Sequence, residues 1–334
     1  MKRINTILIL MLMVTGGVFL AGCTSQEDTE EVPDVSTLNI GYQPSTHQLA
    51  YMTAKEKGWW EEDLAPYGVE NVREYEFPTG APEMQSMLAG DLDVAYVGAA
   101  PFVATLASDL DAKIVAAANS QGSDLVLRPD ITYEGPDDLK GLDIATFPPG
   151  TIQDTILRNW LKDNGIDPDN DVDIKAMGPG DAISAISAGQ VDAVFLPHPA
   201  PTLIAEEGNG RSVVYSGEML PDHVCCVVVV SGDLIRNHPD LVTEIVKTHI
   251  KGTEYSNENQ DEVAQLYADR QGWDVDVIRA SLEDWDGQLI ADPTIIAEST
   301  VDYAQIQYEL GYVNEEFTRA DMFDMSFYEQ ATAE

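Results

Sequence analysis

The chain has 334 residues, and 58 Asp and Glu against 18 Lys and Arg give it a formal net charge of −40 at pH 7. This charge excludes nucleic acid and anionic membrane surfaces as partners, because both would repel the protein. The acidic residues are spread along the whole chain. At molar salt the screening length is only about 3 Å, so such a surface is tolerated there. We therefore expect an acidic surface adapted to high salt.

The N-terminus has the layout of an export signal. Lys2 and Arg3 precede an apolar run over 7–20, and small residues lead to Cys23. The run is shorter than the roughly 20 apolar residues of a membrane-spanning helix, so we predict a signal peptide over 1–22. The residues before Cys23 resemble a lipobox, which predicts that Cys23 carries lipid and anchors the protein to the outer face of the cell membrane. A soluble secreted protein with an unmodified cysteine is the alternative. Residues 23–36 are polar and acidic, which predicts a flexible tether.

A short sequence motif, which we call the half-motif, occurs twice in the chain, once in each half. Residues 87–101 and 186–199 each contain a Gly, then an Asp, then an aromatic residue at matching places. Each copy is typical of a helix that ends at the glycine, a turn that carries the aspartate, and a short apolar strand. A further strand and helix precede each copy, so the order strand, helix, strand, helix, strand occurs twice.

This duplication predicts an α/β protein with two lobes, each a mainly parallel sheet flanked by helices. We predict that residues 37–123 and 231–334 form the first lobe and that residues 124–230 form the second. Two crossover segments, 124–129 and 225–230, would join the lobes as a hinge. The helices after residue 232 are expected to pack mostly on the first lobe.

Several stretches together carry a family resemblance: 40–44, 55–59, 88–101, 138–141, 149–151, 188–193 and 238–242. In these stretches the chain resembles the substrate-binding proteins of nitrate, sulfonate and taurine ABC importers, a group that also includes binders of thiamine-pyrimidine precursors. The resemblance covers most of 38–310. It implies a two-lobed type II periplasmic-binding-protein fold, no catalysis, and a permease with its ATPase as partner. The sequence departs from many relatives at Pro197-His198-Pro199 and from some sulfonate binders at Gly98-Ala99.

Within this family a sulfonate or taurine-like oxyanion is the first choice of ligand. Nitrate and a pyrimidine are the alternatives. A surface sensor without a transporter, or an enzyme on the same fold, would be a different class of function. We expect the protein to act as a monomer.

Ligand-binding residues are expected where strands end, because helix N-termini there present free N–H groups to anions. These loops contain no Arg or Lys, so N–H and hydroxyl donors would have to hold an anion. The candidate residues are Gln43, Thr46, Thr79, Gly80, Gly98, Ala99, Phe147, Gly150, Thr151, Gln153, Pro197 and His198.

Four of the candidates have an alternative, purely structural role. Thr151 could cap its helix, Gln43 could bind only its own turn, His198 could satisfy nearby backbone groups, and Phe147 could belong to the core. The start of the helix after Gly150 is the first choice for the anion, because a glycine allows close backbone approach and Thr151 adds a hydroxyl donor.

No catalytic, cofactor or metal motif is apparent in the sequence. The nucleophile elbow, the zinc-protease helix and the phosphate-binding loop are missing, and the five histidines match no metal spacing. We therefore expect no enzyme activity, no cofactor and no metal. Cys225 and Cys226 are adjacent in an apolar strand, where successive side chains face opposite sides, which predicts two buried thiols that point apart. A strained vicinal disulfide or redox site is the alternative.

Overall fold

A computed structural model describes residues 35–333, which pack as one compact unit. The predicted signal peptide, Cys23 and the tether up to residue 34 lie outside the described residues. None of the described helices is long and apolar enough to cross a membrane.

The described strands are β1 (Thr37–Tyr42), β2 (Asn71–Glu76), β3 (Val94–Gly98), β4 (Ala112–Ser120), β5 (Ser123–Leu127), β6 (Asp143–Thr146), β7 (Asp173–Ala176), β8 (Ala193–Pro197), β9 (Arg211–Tyr215), β10 (Val224–Ser231) and β11 (Gln288–Leu289). They form two sheets. The first sheet has the order β2-β1-β3-β10-β4-β11, and the second has the order β7-β6-β8-β5-β9.

The described α-helices are α1 (Leu49–Glu56), α2 (Trp59–Leu64), α3 (Gly80–Leu88), α4 (Ala99–Leu106), α5 (Ile152–Asp163), α6 (Pro179–Ser187), α7 (Ala200–Glu206), α8 (Ser216–Met219), α9 (Gly232–Asn237), α10 (Pro239–Glu258), α11 (Gln260–Gln271), α12 (Val275–Asp284), α13 (Pro293–Leu310), α14 (Arg319–Met322) and α15 (Ser326–Thr332). Short 3₁₀ turns cover Thr46–Gln48, Ala65–Tyr67 and Pro136–Leu139.

The two sheets share one topology. In the first sheet β1 lies between β2 and β3 and is parallel to both, and β10 runs antiparallel between β3 and β4. In the second sheet β6 lies between β7 and β8 and is parallel to both, and β5 runs antiparallel between β8 and β9. Both sheets are therefore mainly parallel with one long reversed strand, which confirms the duplicated α/β architecture. The central strands β3, β8 and β10 are apolar and almost completely buried, as expected for strands covered on both faces.

The chain crosses between the sheets at places that differ from the predicted crossover segments. One crossing is Gln121–Gly122, where both residues have positive φ, and the other runs from α8 through Asp222, which also has positive φ. The predicted segments lie largely inside strands instead. Asp124 to Leu127 pair in the second sheet, whereas Cys225 to Val230 pair along the first sheet. Valine-rich runs fit a buried pleated strand, and the bends need turn conformations that such runs disfavour.

The C-terminal helices divide between the two halves. α10 packs on α1, α2 and α15, which is the expected side. By contrast, α12 contacts α7 and α13 contacts α5, so these two helices also reach the second half. A buried hydrogen bond joins α13 to the second half, because Gln307 Nε2 of α13 donates to Gly150 O at 3.1 Å. Buried polar groups need such partners. The expectation that these helices pack mostly on the first lobe holds for α13, which also packs on α4 and β4, and it was wrong for α12, which packs on α7.

Candidate ligand-binding site

A cavity of about 160 Å³ lies where strands of both sheets end. An engineered apolar cavity of about 150 Å³ holds a benzene molecule, so this cavity suits a small ligand. Of the predicted residues, those that line it are Gln43, Gly80, Gly98, Phe147, Thr151, Gln153, Pro197 and His198.

The other four predicted residues lie beside the wall and do not line it. The Thr46 amide donates to His198 O at 3.4 Å, which links the first sheet's loop to the second sheet's loop. Thr79 precedes the first residue of α3, and Ala99 is the first residue of α4. Gly150 has a φ of 83°, and its amide donates to Asp154 Oδ2 at 3.2 Å. These residues shape the helix starts that reach the cavity.

Four helices of eight or more residues begin at the cavity wall, two from each half of the molecule. They are α3 and α4 from the first half and α5 and α6 from the second, and their wall residues are Gly80, Gly98, Ile152, Gln153 and Gly180. The first amides of a helix have no partner inside it, and each helix start is equivalent to about half a positive charge. Among the described residues, no partner is found for the amides of Gly80, Ile152, Gln153 and Gly180. The wall therefore presents unpaired donors and positive dipole ends.

No Lys, Arg, Asp or Glu is found among the described residues that line the cavity. A carboxyl group lies just behind the wall: Gln43 Nε2 donates to Glu83 Oε2 at 2.7 Å, while Glu83 Oε1 has no partner. Burial raises the pKa of Glu83 well above its usual range, which favours the uncharged form of this carboxyl group. The strongly acidic protein thus keeps ionised carboxylates off this surface.

The Thr151 side chain is used by its own helix. Its hydroxyl donates to Pro148 O at 2.8 Å and accepts from the Asp154 amide at 3.4 Å, as an N-cap residue does. The donors that this helix start leaves unpaired are the amides of Ile152 and Gln153.

The His198 ring is also surrounded by partners. Nδ1 lies 3.0 Å from Ser281 Oγ and 3.3 Å from Thr202 Oγ1. Nε2 lies 3.3 Å from Asp124 Oδ1, without the geometry of a hydrogen bond. The other Asp124 oxygen accepts from Ser212 Oγ at 2.6 Å. Both ring nitrogens therefore face protein groups that do not line the cavity.

Sequence reasoning missed a cluster of thiols and imidazole. Cys225 and Cys226 both line the cavity with His47, and their Sγ atoms are 3.8 Å apart. The prediction that these thiols point apart was wrong, because β10 is not regular there. Its register against β4 shifts on both sides of Cys226, and a bulge of this kind re-aims side chains. Both thiols are free and buried, as expected.

Two further wall residues are Gln271, the last residue of α11, and Trp273, which lies between α11 and α12. The sequence carries no signal that these residues reach the cleft, because helices after residue 232 have no counterpart in the repeated half-motif.

The model of the NMT1-like family matches residues 31–268. The chain belongs to this family. Over 329 residues it is 26% identical to a Bacillus subtilis (strain 168) protein named as an aliphatic sulfonates-binding protein, and the alignment covers 97% of each chain. This family membership confirms the resemblance stated on sequence grounds.

Two solved structures show the same fold. The periplasmic aliphatic sulphonate binding protein SsuA of Escherichia coli is 18% identical, with a TM-score of 0.74 over 87% of this chain and 92% of that one. The periplasmic nitrate-binding protein NrtA of Synechocystis PCC 6803 is 17% identical, with a TM-score of 0.76 over 90% of this chain and 89% of that one. The predicted periplasmic-binding-protein fold is confirmed. All three of these proteins are named as binding proteins.

Proposed function

We propose that this protein is the extracytoplasmic solute-binding component of an ABC importer, and that it captures a small oxyanion in the cavity between its sheets. A sulfonate or taurine-like molecule is the first choice. The observation that carries the proposal is the convergence of four helix starts on a wall in which the described residues include no Lys, Arg, Asp or Glu. The similarity to a relative named for aliphatic sulfonates supports the same ligand class.

The charge of the protein determines how the anion must be held. A net charge of −40 repels anions at long range, so binding depends on short-range donors in a site that excludes water. Unpaired amides at helix starts are such donors, and a hydrogen bond to a charged group contributes about 1.5–3 kcal/mol. Micromolar binding needs about 8 kcal/mol, which three such bonds reach only near the upper end of this range, so we expect the anion to accept from at least three donors.

Nitrate is the second candidate ligand. The likeness to the nitrate-binding protein NrtA favours it over a pyrimidine.

The domain assignment and the location form part of the same proposal. The predicted boundary of the lobes at residues 230 and 231 is corrected by β10, which belongs to the first sheet. The two lobes therefore meet at Gln121–Gly122 and around Asp222, and they close on the ligand by bending there. The export signal delivers the protein outside the cytoplasm, and lipid on Cys23 holds it at the membrane beside a permease and its ATPase. It works there as a monomer with a salt-adapted acidic surface.

Isothermal titration calorimetry with a defined panel tests the proposal. The panel holds ethanesulfonate, taurine, nitrate, a thiamine-type aminopyrimidine, and dimethyl sulfone as an uncharged analogue of the sulfonate group. We expect one of the small anions to bind with a micromolar or lower Kd and the sulfone not to bind. Binding of the pyrimidine or the sulfone in preference to every anion would contradict the proposal.

A further inference from the structure

Three side chains of the cavity wall, those of His47, Cys225 and Cys226, are not used by the proposed anion site. His47 Nδ1 lies 3.2 Å from Cys225 Sγ, and Cys225 Sγ lies 3.8 Å from Cys226 Sγ. One donor atom from each of the three residues lies within 4.8 Å of the other two, and all three residues are buried. Imidazole nitrogen and thiolate sulfur are the ligands that zinc and cuprous copper prefer.

The His47 ring is oriented as a metal ligand would be. Nε2 lies 2.7 Å from Gly122 O, and a carbonyl oxygen only accepts, so Nε2 carries the proton. Nδ1 is then the nitrogen with the free lone pair, and it faces the thiols. Metal-binding histidines usually donate their other ring N–H to a carbonyl or a carboxylate in this way. The Trp285 ring, with its centroid 5.3 Å from that of His47, packs against the imidazole.

The two thiols are also held in place. The bulge in β10 turns both toward His47, and the Cys226 amide donates to Asn119 Oδ1 at 3.0 Å. Both Sγ atoms and a ring nitrogen of His47 thus lie in one small buried cluster, and a bound cation would displace the protons of the thiols.

We propose that His47, Cys225 and Cys226 of the reduced protein bind one thiophilic metal ion, Zn²⁺ or Cu⁺. A tetrahedral ion with Zn–S bonds of about 2.3 Å places two sulfurs about 3.8 Å apart, which is the separation observed. A disulfide needs a bond of about 2.05 Å instead. Three protein ligands leave one coordination position for Zn²⁺, on the side of the cavity. This site does not depend on which solute the cavity takes.

The first test uses Co²⁺ as a spectroscopic stand-in for Zn²⁺, added to the reduced full-length protein without oxygen. We expect a thiolate-to-cobalt absorption that saturates at one ion per chain and disappears when Zn²⁺ displaces the cobalt. Cys225→Ser, Cys226→Ser and His47→Ala should each weaken binding by at least about a hundredfold, the upper end of the loss from removing an outer-shell partner. Cys23→Ser removes the third cysteine of the chain and should leave binding unchanged.

The second test needs no variant, so it holds even if a serine substitution unfolds the protein. X-ray absorption of the loaded wild-type protein should show two sulfurs and one imidazole nitrogen, with a fourth light ligand for Zn²⁺ and none for Cu⁺. A shell of oxygen atoms alone would place the ion on surface carboxylates and overturn the proposal. Loss of the signal in Cys23→Ser, or full binding by the Cys225→Ser and Cys226→Ser variants, would overturn it as well.

Discussion

The two halves of the molecule have the same strand order but unlike chemistry at the cavity. Each half contributes two helix starts from its repeated segment, α3 and α4 on one side and α5 and α6 on the other. The reversed strands differ. β10 brings two thiols to His47 in the first half, whereas β5 brings Ser123 and Asp124 to the loop of His198 in the second.

The helix starts are duplicated between the two halves, whereas the side chains on the reversed strands are not. The helix starts follow from the repeated half-motif, so both halves can offer backbone donors to one anion. The side chains on the reversed strands have no counterpart in the other half. In our account, the duplicated helix starts therefore bind the anion. The reversed strands β10 and β5 carry different side chains, so the two sides of the cavity differ chemically.

The largest expected effect comes from placing a charge at a duplicated helix start. Gln153 lines the cavity, and its Nε2 donates to Ser123 Oγ at 3.1 Å. Gln153→Glu keeps the size of the side chain and adds a carboxylate beside the unpaired amides. At short range in a partly buried site, repulsion between like charges amounts to a few kcal/mol. Calorimetry should therefore show a loss of affinity on the order of a hundredfold for the tightest-binding anion of the panel.

Gln190→Glu is the matched control, because it makes the same substitution at an exposed residue outside the cavity wall. It should bind the anion with wild-type affinity. Equal affinities for the two variants would mean that the start of α5 does not hold the anion.

An effect of similar size, on stability instead of affinity, is expected where the two halves join. The Asp286 carboxylate accepts from the Gly122 amide at 2.9 Å and from the Gly217 amide at 2.6 Å, so it ties one crossing to the start of the other. Asp286→Ala removes both bonds. Since each bond to a charged group contributes about 1.5–3 kcal/mol and the site is only half-buried, we expect a loss of about 2–3 kcal/mol in the free energy of unfolding, measured with urea.

The neighbouring Asp284 is exposed, and Asp284→Ala should change stability by no more than about 0.5 kcal/mol. If the two alanine variants were equally stable, Asp286 would have no special part in joining the halves.

The smallest effect concerns the buried carboxyl of the first half. Burial raises the pKa of Glu83 in the folded protein. When the pH exceeds the pKa that Glu83 has in the unfolded chain, the folded state still holds a proton that the unfolded state has lost. Stability from this group therefore falls as pH rises above about 4.5. Glu83→Gln removes this dependence, so the free energy of unfolding of the variant should rise relative to that of the wild type as the pH increases from 5 to 8.

Glu298→Gln is the control, since Glu298 is exposed. Its pH profile should run parallel to that of the wild type. If the stability of Glu83→Gln changed with pH as steeply as that of the wild type, Glu83 would not hold a proton in the folded protein.

Much of the architecture could be predicted from the repeated half-motif, because short-range patterns determine helices, strands and their order. The same patterns located eight of the twelve candidate residues at the cavity wall, since strand ends and helix starts are read from local sequence. The thiol pair could not be predicted, because the bulge at Cys226 arises from pairing with a strand about 100 residues away. The contributions of Trp273 and Ser281 depend on where the C-terminal helices dock, which no local pattern determines.

A crystal structure of the protein with the tightest-binding anion of the panel tests the central claim most directly. Our account predicts that oxygens of the anion lie within about 3.2 Å of the amides of Ile152 and Gln153 and of at least one amide at the start of α3 or α4. An anion bound outside the cavity, or held in it by side chains alone with these amides unpaired, would contradict the account.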